Sequence, residues 1–291
     1  MKIDDSELII NPDGSIYHLH LKPGEVADIV ITVGDQDRVD QVSKYFDNIE
    51  VNVQHREFKT HTGTLNGKRI TVISTGIGPD NIDIVFNELD ALVNIDFLTR
   101  KIQTKKKSLS IIRVGTSGAL QPEIPLNSFI GSAIGIGFDN LLHFYGNTEA
   151  IFEHHFSEAF IAHTKWNPSN SMPYAIKGDT SLLTLFGSSE SIITGITTTN
   201  VGFYGPQGRV LRLPLQDPGI NHRIASFSYH GSKITNLEME TAAIYGMAKL
   251  LGHKAISLNA ILANRALGTF SKNPSETIEK LIQHTLEILT Q

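Results

Sequence analysis

The chain has 291 residues, of which 40% are apolar and 19% are charged, the composition of a globular protein. Its 25 basic and 30 acidic side chains give a net charge of −5, which argues against a generally basic nucleic-acid-binding surface. Cysteine is absent, so a disulfide framework, a thiolate zinc site and a cysteine nucleophile are all excluded. No apolar run is long enough to span a bilayer, and the first residues lack the apolar core of a secretory signal. We therefore expect a soluble, cytoplasmic protein.

The first third of the chain alternates between strand and helix signals. Gly34-Asp35 ends a short β-branched run, Asn66-Gly67 is a strong hairpin signal, and Pro79 is placed to open a helix after a glycine turn. The elements predicted here are a strand at 28–33, a helix at 37–46, strands at 56–65 and 68–75, and a helix at 79–94.

The remaining two thirds begin with a polar, basic stretch at 99–108, which we interpret as a solvated linker rather than an anion-binding patch. The last segment opens at Asn273-Pro274 and places five apolar residues on one face, which predicts an amphipathic helix. Between them we predict strands at 109–114, 127–138, 174–179, 192–199, 233–238 and 254–262, and a helix at 240–251.

Strands and helices alternate along the whole chain, which indicates the α/β class. The hairpin makes the sheet mixed rather than purely parallel. No linker rich in proline, glycine or serine divides the sequence, so we expect residues 1–291 to form a single domain.

Three of the predicted strands end in glycine-containing turns, at 34–35, 76–78 and 115–118. In an open α/β sheet, ligands bind at the carboxyl ends of strands, where glycine lets backbone N–H groups approach an anion. None of these turns has the spacing of a dinucleotide-binding motif or a P-loop, so we predict neither.

Three arginines lie close to these strand ends. Arg38 follows the first turn, Arg56 lies in the segment HREF, and Arg113 lies within the apolar strand LSIIRV. A buried arginine is costly without an anionic partner, which is either an external anion or a carboxylate of the chain itself. We favour an external phosphate, because a planar guanidinium suits multidentate phosphate recognition.

The segment Glu238-Met239-Glu240 stands between a predicted strand and a predicted helix. Taken alone, it is better explained as a helix-capping acid next to a core methionine. The functional alternative is that a carboxylate at the strand end accepts hydrogen bonds from the vicinal hydroxyls of a sugar.

Eight short segments, spread over most of the chain, form a set. In order they are HLHL (18–21), VGDQDRV (33–39), HREF (55–58), STGIG (74–78), RVGTSGA (113–119), FYGPQGR (203–209), LEMETA (237–242) and NRA (264–266). Together they resemble the nucleoside phosphorylase-I superfamily and, within it, the uridine phosphorylases. The resemblance implies a three-layer α/β/α fold with a mixed central sheet. It also implies reversible phosphorolysis of uridine to uracil and ribose 1-phosphate in pyrimidine salvage, with no required cofactor.

The resemblance implies a site in three parts. Phosphate would be held by Gly34, Arg38, Arg56, Arg113 and Thr116. Ribose would be held by His18, Glu238, Met239 and Glu240. The base would be held by Phe203, Gln207, Arg209 and Arg265. Of these residues, Arg113, Glu240 and Arg209 would carry the catalysis.

The base-binding segment favours a pyrimidine. Relatives that act on purines use an aspartate after a late strand to protonate the base, and residues 262–265 (LANR) contain none. Gln207 and Arg209 match the pyrimidine pattern instead, and a glutamine amide offers uracil both a donor and an acceptor. The alternatives are another nucleoside phosphorylase, specific for purines or broad for pyrimidines, a nucleosidase that uses water, and a non-catalytic nucleoside-binding protein on the same fold. The arginines favour phosphate over water.

The resemblance also implies a homo-oligomer and an ion. Arg56 and the N-terminal segment 1–20, which includes His18, would complete the site of a neighbouring subunit. A dimer would therefore be the minimal active unit, and in bacterial relatives such dimers assemble into a hexamer. A structural potassium ion near Glu57, Ile70 and Ser74 is the implied metal. We expect neither a nucleic acid nor a membrane as a partner.

Overall fold

The structure is a computed structural model that describes residues 2–291, over which the chain forms fourteen strands and seven α-helices. The strands are β1 (Ile29–Val33), β2 (Asn48–His55), β3 (Phe58–Leu65), β4 (Lys68–Ser74), β5 (Ile95–Asp96), β6 (Lys101–Ile102), β7 (Ser110–Ala119), β8 (Phe129–Gly137), β9 (Tyr174–Lys177), β10 (Ile192–Thr199), β11 (Ser228–Tyr229), β12 (Ser232–Glu238), β13 (Lys254–Asn264) and β14 (Thr269–Phe270). The helices are α1 (Gln36–Ser43), α2 (Pro79–Asn94), α3 (His154–Thr164), α4 (Thr180–Gly187), α5 (Ile220–Ser226), α6 (Thr241–Leu251) and α7 (Pro274–Thr290).

Twelve of these strands form one mixed sheet, in the order β11-β12-β10-β8-β13-β7-β1-β4-β3-β2, with β14 beside β13 and β9 beside β8. β1 pairs in parallel with both β4 and β7, whereas β2, β3 and β4 form an antiparallel meander. The predicted mixed sheet is therefore confirmed.

The sheet closes on itself at one end. β12 runs parallel to β10 but also pairs antiparallel with β7, where Asn236 lies opposite Ala119 and Leu237 lies opposite Gly118. The five strands β7, β13, β8, β10 and β12 therefore form a closed ring, which we call the barrel, and β1 to β4 extend the sheet from β7. This closure was not predicted from the sequence.

Helices cover both faces of the sheet. On one face α2 and α6 share a core that includes Phe86 and Tyr245, both fully buried. On the other face α1, α4 and α7 share a second core, with Val39, Phe186 and Leu286 among its members. This arrangement confirms the three-layer α/β/α architecture. No helix within residues 2–291 has the length and apolar character needed to cross a membrane.

The hairpin and helix-start signals in the first third of the chain are confirmed. Asn66 and Gly67 both adopt positive φ angles, 50° and 74°, which is the backbone that a two-residue hairpin turn requires. Pro79 is the first residue of α2, and that helix ends at Asn94 as predicted. The first predicted helix is shorter than expected, because α1 ends at Ser43. The basic stretch is exposed from Lys101 to Ser108, as expected for a solvated segment, although Lys101 and Ile102 form β6 and pair with β5.

One strand end was predicted wrongly. β7 does not stop before Gly115 but continues to Ala119, so Gly115 to Gly118 lie within a strand and not in a turn. The side chain of Arg113 folds back over Gly115, where a Cβ atom would lie 2.0 Å from Arg113 Nη1. Glycine at this position therefore makes room for a side chain rather than bending the backbone.

Candidate active site

A cavity of about 740 Å³ opens where β1, β4, β10, β12 and β13 end. These carboxyl ends are where an α/β sheet is expected to bind ligands. The cavity walls bring together ten of the residues predicted to bind substrate: Gly34, Arg38, Arg113, Thr116, Phe203, Gln207, Arg209, Glu238, Met239 and Glu240. Glu57, predicted for the potassium site, also lines the cavity.

Arg113 has carboxylate partners within the chain. Its Nη2 atom lies 2.6 Å from Glu240 Oε2 and 3.1 Å from Glu238 Oε2, and its Nη1 atom donates to Asn259 Oδ1 at 2.7 Å. Although burial opposes the charge, the two carboxylates raise the pKa of Arg113 above its usual value. The chain itself therefore supplies the anionic partner that a buried arginine requires, which is the alternative that we did not favour from the sequence. Arg113 still lines the cavity.

Glu238 is a structural carboxylate. Its oxygens accept from the backbone N–H of Glu240 at 2.8 Å, the backbone N–H of Thr241 at 3.0 Å and the Thr199 hydroxyl at 2.7 Å. These contacts cap the start of α6, so the helix-capping interpretation applies to this residue. Met239 is not a core methionine, since it is half-buried and lines the cavity.

Glu240 is held at the cavity wall from two sides. Its Oε1 atom accepts from the backbone N–H of Gly78 at 2.9 Å, at the N-terminus of α2, and its Oε2 atom accepts from Arg113. Burial raises the pKa of Glu240, Glu238 adds to that rise, and Arg113 opposes it. Each carboxylate oxygen has one contact to the chain and a second lone pair for a ligand hydroxyl.

Arg38 differs from Arg113 in having no ion pair. Its guanidinium is half-buried at the cavity and makes one long contact, from Nη1 to the carbonyl oxygen of Val114 at 3.4 Å. No carboxylate within residues 2–291 lies in salt-bridge range of it. Burial lowers the pKa of Arg38, and the nearby Asp35 opposes that change. A cation of this kind at a cavity wall is suited to bind an anion.

Gln207 and Arg209 form a linked pair in the same cavity. The guanidinium of Arg209 lies 3.8 Å from the centre of the Phe203 ring, and its Nη1 atom donates to Gln207 Oε1 and to the Phe203 carbonyl oxygen. Gln207 is 2% exposed, and its carbonyl oxygen accepts from Asn221. Burial, and then the nearby Arg265, lower the pKa of Arg209 to about 10, so it remains positive at neutral pH.

Three of the residues predicted to bind substrate do not line this cavity. Arg265 lies behind the pair, where its Nη2 atom is 3.4 Å from the Gly208 carbonyl oxygen and its buried Nη1 atom has no partner within residues 2–291. His18 contacts Glu88 Oε1 through Nδ1 at 2.6 Å. Arg56 is exposed, with its guanidinium 5.7 Å from the centre of the Tyr17 ring.

A family model described as the phosphorylase superfamily matches residues 28–291. The chain belongs to the phosphorylase superfamily. It is 29% identical to a uridine phosphorylase of Thermococcus kodakarensis, over 96% of this chain and 88% of that protein. It is 26% identical to the uridine phosphorylase of Escherichia coli, over 95% of this chain and 96% of that protein.

A solved structure extends the likeness to this fold. A nucleoside phosphorylase of Trypanosoma brucei, described as showing uridine phosphorylase activity, superimposes with a TM-score of 0.86 at 28% identity. The match covers 97% of this chain and 99% of that one. The phosphorylase family and its fold, both expected from the sequence, are therefore confirmed.

The potassium site carried over from the phosphorylase resemblance stays a prediction, because the resemblance places that ion at an interface between two subunits. Within one chain, Ile70 and Ser74 lie four residues apart on β4, about 13 Å along an extended strand. Ile70 is fully buried between β1 and β3. The Ser74 hydroxyl already donates to the Glu57 carbonyl oxygen and accepts from the Lys59 N–H, each at 2.7 Å.

Several cavity residues of this phosphorylase were not predicted. Asp35 follows Gly34 and caps α1, and Ser117 lies within the segment RVGTSGA, so both were close to a recognised signal. Asn259 does not line the cavity but contacts Arg113, and it had no signal, because in the sequence it is one of several polar residues in a mostly apolar strand. The others not predicted for the cavity include Ile77, Leu262, Ala263 and Phe270.

We expect Gly115→Ala to destabilise the phosphorylase fold by about 1–3 kcal/mol, the usual cost of overpacking a buried site. The new methyl group would lie 2.0 Å from Arg113 Nη1, and the guanidinium is anchored by three partners that limit its retreat. Denaturant unfolding measures the change. Gly146→Ala is the matched control, because a Cβ there meets no atom within 4 Å. Equal stability of the two variants would contradict the crowding argument.

Proposed function

We propose that this phosphorylase cleaves uridine with phosphate, releasing uracil and ribose 1-phosphate, in pyrimidine salvage. The observation that carries the proposal is the composition of one cavity. Its wall contains Arg38, a cation without a carboxylate partner, and also the Gln207–Arg209 pair. The first feature suits an inorganic anion, and the second suits an imide edge. The uridine phosphorylases among its relatives support this pairing of substrates.

Phosphate would bind at the Gly34 and Arg38 end of the cavity, with Thr116 and Arg113 nearby. Gly34 supports this placement, because the fold itself does not require glycine at this position. A Cβ atom there would be in ordinary van der Waals contact with one atom, at 3.6 Å, and the φ angle is not positive. The half-buried Gly34 backbone, which has no side chain, instead leaves space for a ligand to approach from the cavity. Binding phosphate beside the sugar converts a bimolecular encounter into an oriented one.

Ribose would lie between the two ends, on Met239 and Glu240. The carboxylate of Glu240 is fixed by Gly78 and Arg113, so its free lone pairs are preorganised to accept from the sugar hydroxyls. As the bond from C1′ to the base nitrogen breaks, positive charge grows on the sugar, and the bound phosphate stabilises that charge. A phosphate oxygen then forms the new bond to C1′.

Uracil would leave with the electron pair of the broken bond, and its negative charge spreads onto the carbonyl oxygens. Arg209 remains cationic at neutral pH and, with the Gln207 amide, would stabilise that charge. Asn264 is not placed to act on a base, since its Nδ2 atom donates to the Gln121 and Ile124 carbonyl oxygens. Because phosphate is already anionic, we propose that the reaction needs neither a general base nor a cofactor.

Ultraviolet absorbance of uridine with and without phosphate tests the proposal directly. We expect a change in absorbance that depends on both the enzyme and phosphate, with ribose 1-phosphate as the product. Hydrolysis of uridine without phosphate would indicate a nucleosidase. Saturable uridine binding without turnover would indicate a binding protein, and faster cleavage of inosine would indicate a purine phosphorylase.

We further propose that two subunits complete each site, with a dimer as the minimal active unit. Arg56 and His18 lie outside this chain's cavity and on its surface, which suits residues that serve a neighbouring site. The Arg56 backbone is held in a left-handed conformation (φ 53°), and its carbonyl oxygen accepts from Gln36, a residue of the cavity wall. The guanidinium is therefore displayed from the rim of the cavity.

Mixing two inactive variants tests the shared site. We expect Arg56→Ala and Arg38→Ala to be nearly inactive alone, whereas refolding them together should restore about one quarter of wild-type activity. In an equal mixture about half of the dimers are mixed, and one of the two sites in each mixed dimer is intact. A mixture no more active than its parents, while the wild type is an active monomer, would contradict the shared site.

A further inference from the structure

A line of buried polar side chains runs from strand to strand around the barrel. Asn259 Nδ2 donates to Ser132 Oγ at 3.3 Å, Ser132 Oγ lies 2.6 Å from Thr197 Oγ1, and Thr197 Oγ1 donates to Asn236 Oδ1 at 2.9 Å. Asn236 Nδ2 then donates to Ser117 Oγ at 2.9 Å. The first four side chains are fully buried, and Ser117 lines the cavity. Burying polar groups costs free energy, and a hydrogen-bonded network of buried groups holds its members in fixed positions.

One end of this line holds Arg113. A guanidinium has donors only, so Asn259 must present its oxygen to Arg113 Nη1, at 2.7 Å. A 180° rotation of the amide would also remove two hydrogen bonds, because its Nδ2 atom donates to the hydroxyls of Ser132 and Ser257. Three contacts therefore fix the orientation of the Asn259 side chain.

The partners of Arg113 are arranged unequally. Both carboxylates, Glu238 and Glu240, lie on Nη2, whereas the neutral Asn259 amide lies on Nη1, with Ser257 farther away at 3.4 Å. Without Asn259, Nη1 would lose its one short contact, and the guanidinium would be free to turn both terminal nitrogens toward the carboxylates. The Nε–H has no acceptor within residues 2–291 in the observed orientation.

We propose that Asn259 is a positioning residue that sets the orientation in which Arg113 meets the anionic substrate. It touches no substrate itself, because it does not line the cavity. The inference rests on the proposed function only for the identity of the anion as phosphate.

Phosphate binding by isothermal titration calorimetry tests the inference without requiring turnover. Asn259→Leu keeps the branched shape of the side chain but removes the acceptor, and we expect phosphate to bind about 10- to 100-fold more weakly, the range for losing a hydrogen bond to a charged group. The KM for uridine should change by less than about threefold, since the Gln207–Arg209 pair is untouched. Asn259→Ala removes the same acceptor with less bulk and replaces the leucine variant if that protein does not fold.

A buried amide elsewhere provides the matched control. Asn94 is equally buried and donates to Asp90 and Lys107. It lies at the far end of α2, about 20 Å or more from the cavity end of that helix. We expect Asn94→Leu to lower thermal stability and leave phosphate affinity unchanged.

A double-mutant cycle separates positioning from general damage. Arg113→Lys keeps a positive charge between the carboxylates but cannot make the two-sided guanidinium contact. If Asn259 acts through that guanidinium, Asn259→Leu should have little further effect on phosphate affinity in the Arg113→Lys background. An equal loss of affinity in both backgrounds would overturn the proposal.

The outcomes for the two proposals are distinguishable. Wild-type uridine phosphorolysis with unchanged phosphate affinity in Asn259→Leu and Asn259→Ala would overturn the positioning role and leave the function intact. Phosphate binding that depends on Asn259, without uridine cleavage, would overturn the function and support the positioning role. A wild-type protein that binds no phosphate would overturn both.

Discussion

Arg38→Ala should weaken the use of phosphate more than any other single change at the anion end of the cavity. We expect kcat/KM for phosphate to fall by about 100-fold or more, which corresponds to roughly 2.7 kcal/mol of lost binding in the transition state. The reason is that Arg38 is the arginine at the anion end of the cavity that forms no salt bridge with a carboxylate within residues 2–291. Steady-state kinetics with phosphate varied at saturating uridine measures the effect.

The same feature predicts that Arg38→Ala remains folded. Its removal strands no buried carboxylate, whereas the loss of Arg113 would leave Glu238 and Glu240 without their cation. Arg69→Ala is the control, because Arg69 is paired with Glu50 and does not line the cavity. A phosphate KM in Arg38→Ala equal to that of the Arg69 variant would show that the anion binds elsewhere.

Gln207→Ala should have the second large effect, on the choice of base. The amide of Gln207 is 2% exposed and linked to Arg209, so a base that fails to match it leaves buried polar groups unpaired. Such groups cost about 1–3 kcal/mol each, and two of them would discriminate by about 100-fold or more. We therefore expect the wild type to prefer uridine over inosine by about two orders of magnitude. We expect Gln207→Ala to lose most of its uridine activity.

The measurement is kcat/KM for uridine and for inosine in the wild type and the variant, with the KM for phosphate as the internal reference. Phosphate KM should stay near the wild-type value, since Arg38 and Gly34 are unaffected. Gln121→Ala is the control, because Gln121 is also buried but donates to the Ala225 and Ile234 carbonyl oxygens. Comparable turnover of uridine and inosine by the wild type would defeat the pyrimidine assignment and leave phosphorolysis standing.

Local sequence signals were enough to predict the elements that are bounded by a clear turn or helix-start residue. Asn66-Gly67 specified a hairpin because both residues tolerate positive φ, and Pro79 specified the start of α2 because its missing N–H costs nothing there. The α3, α4 and α5 helices were not predicted. α4 and α5 have only eight and seven residues, too few for a clear period, and α3 places two histidines in its first turn.

The site was predicted as a set of residues but not as a network. Ten of the residues proposed from the sequence line one cavity, because short motifs at strand ends converge there. The pairing of strands that are far apart in the sequence could not be predicted from the sequence. Whether Arg113 meets phosphate or Glu240 depends on a register between β7 and β12 that no local pattern encodes. Asn259 was missed for the same reason.

The closure of the barrel dictates when in synthesis the site can exist. β13 lies between β7 and β8 and supplies Asn259 as well as the wall residues Leu262 and Ala263, yet it is the last of the five barrel strands in chain order. A chain still lacking β13 leaves β7 and β8 apart, so Arg113 would have its carboxylates but not its amide. Pairing over such separations is slow, because loop-closure entropy must be overcome before the contacts form. Phosphate bound as we propose would therefore stabilise only those chains in which β13 has been inserted, and not their shorter nascent forms.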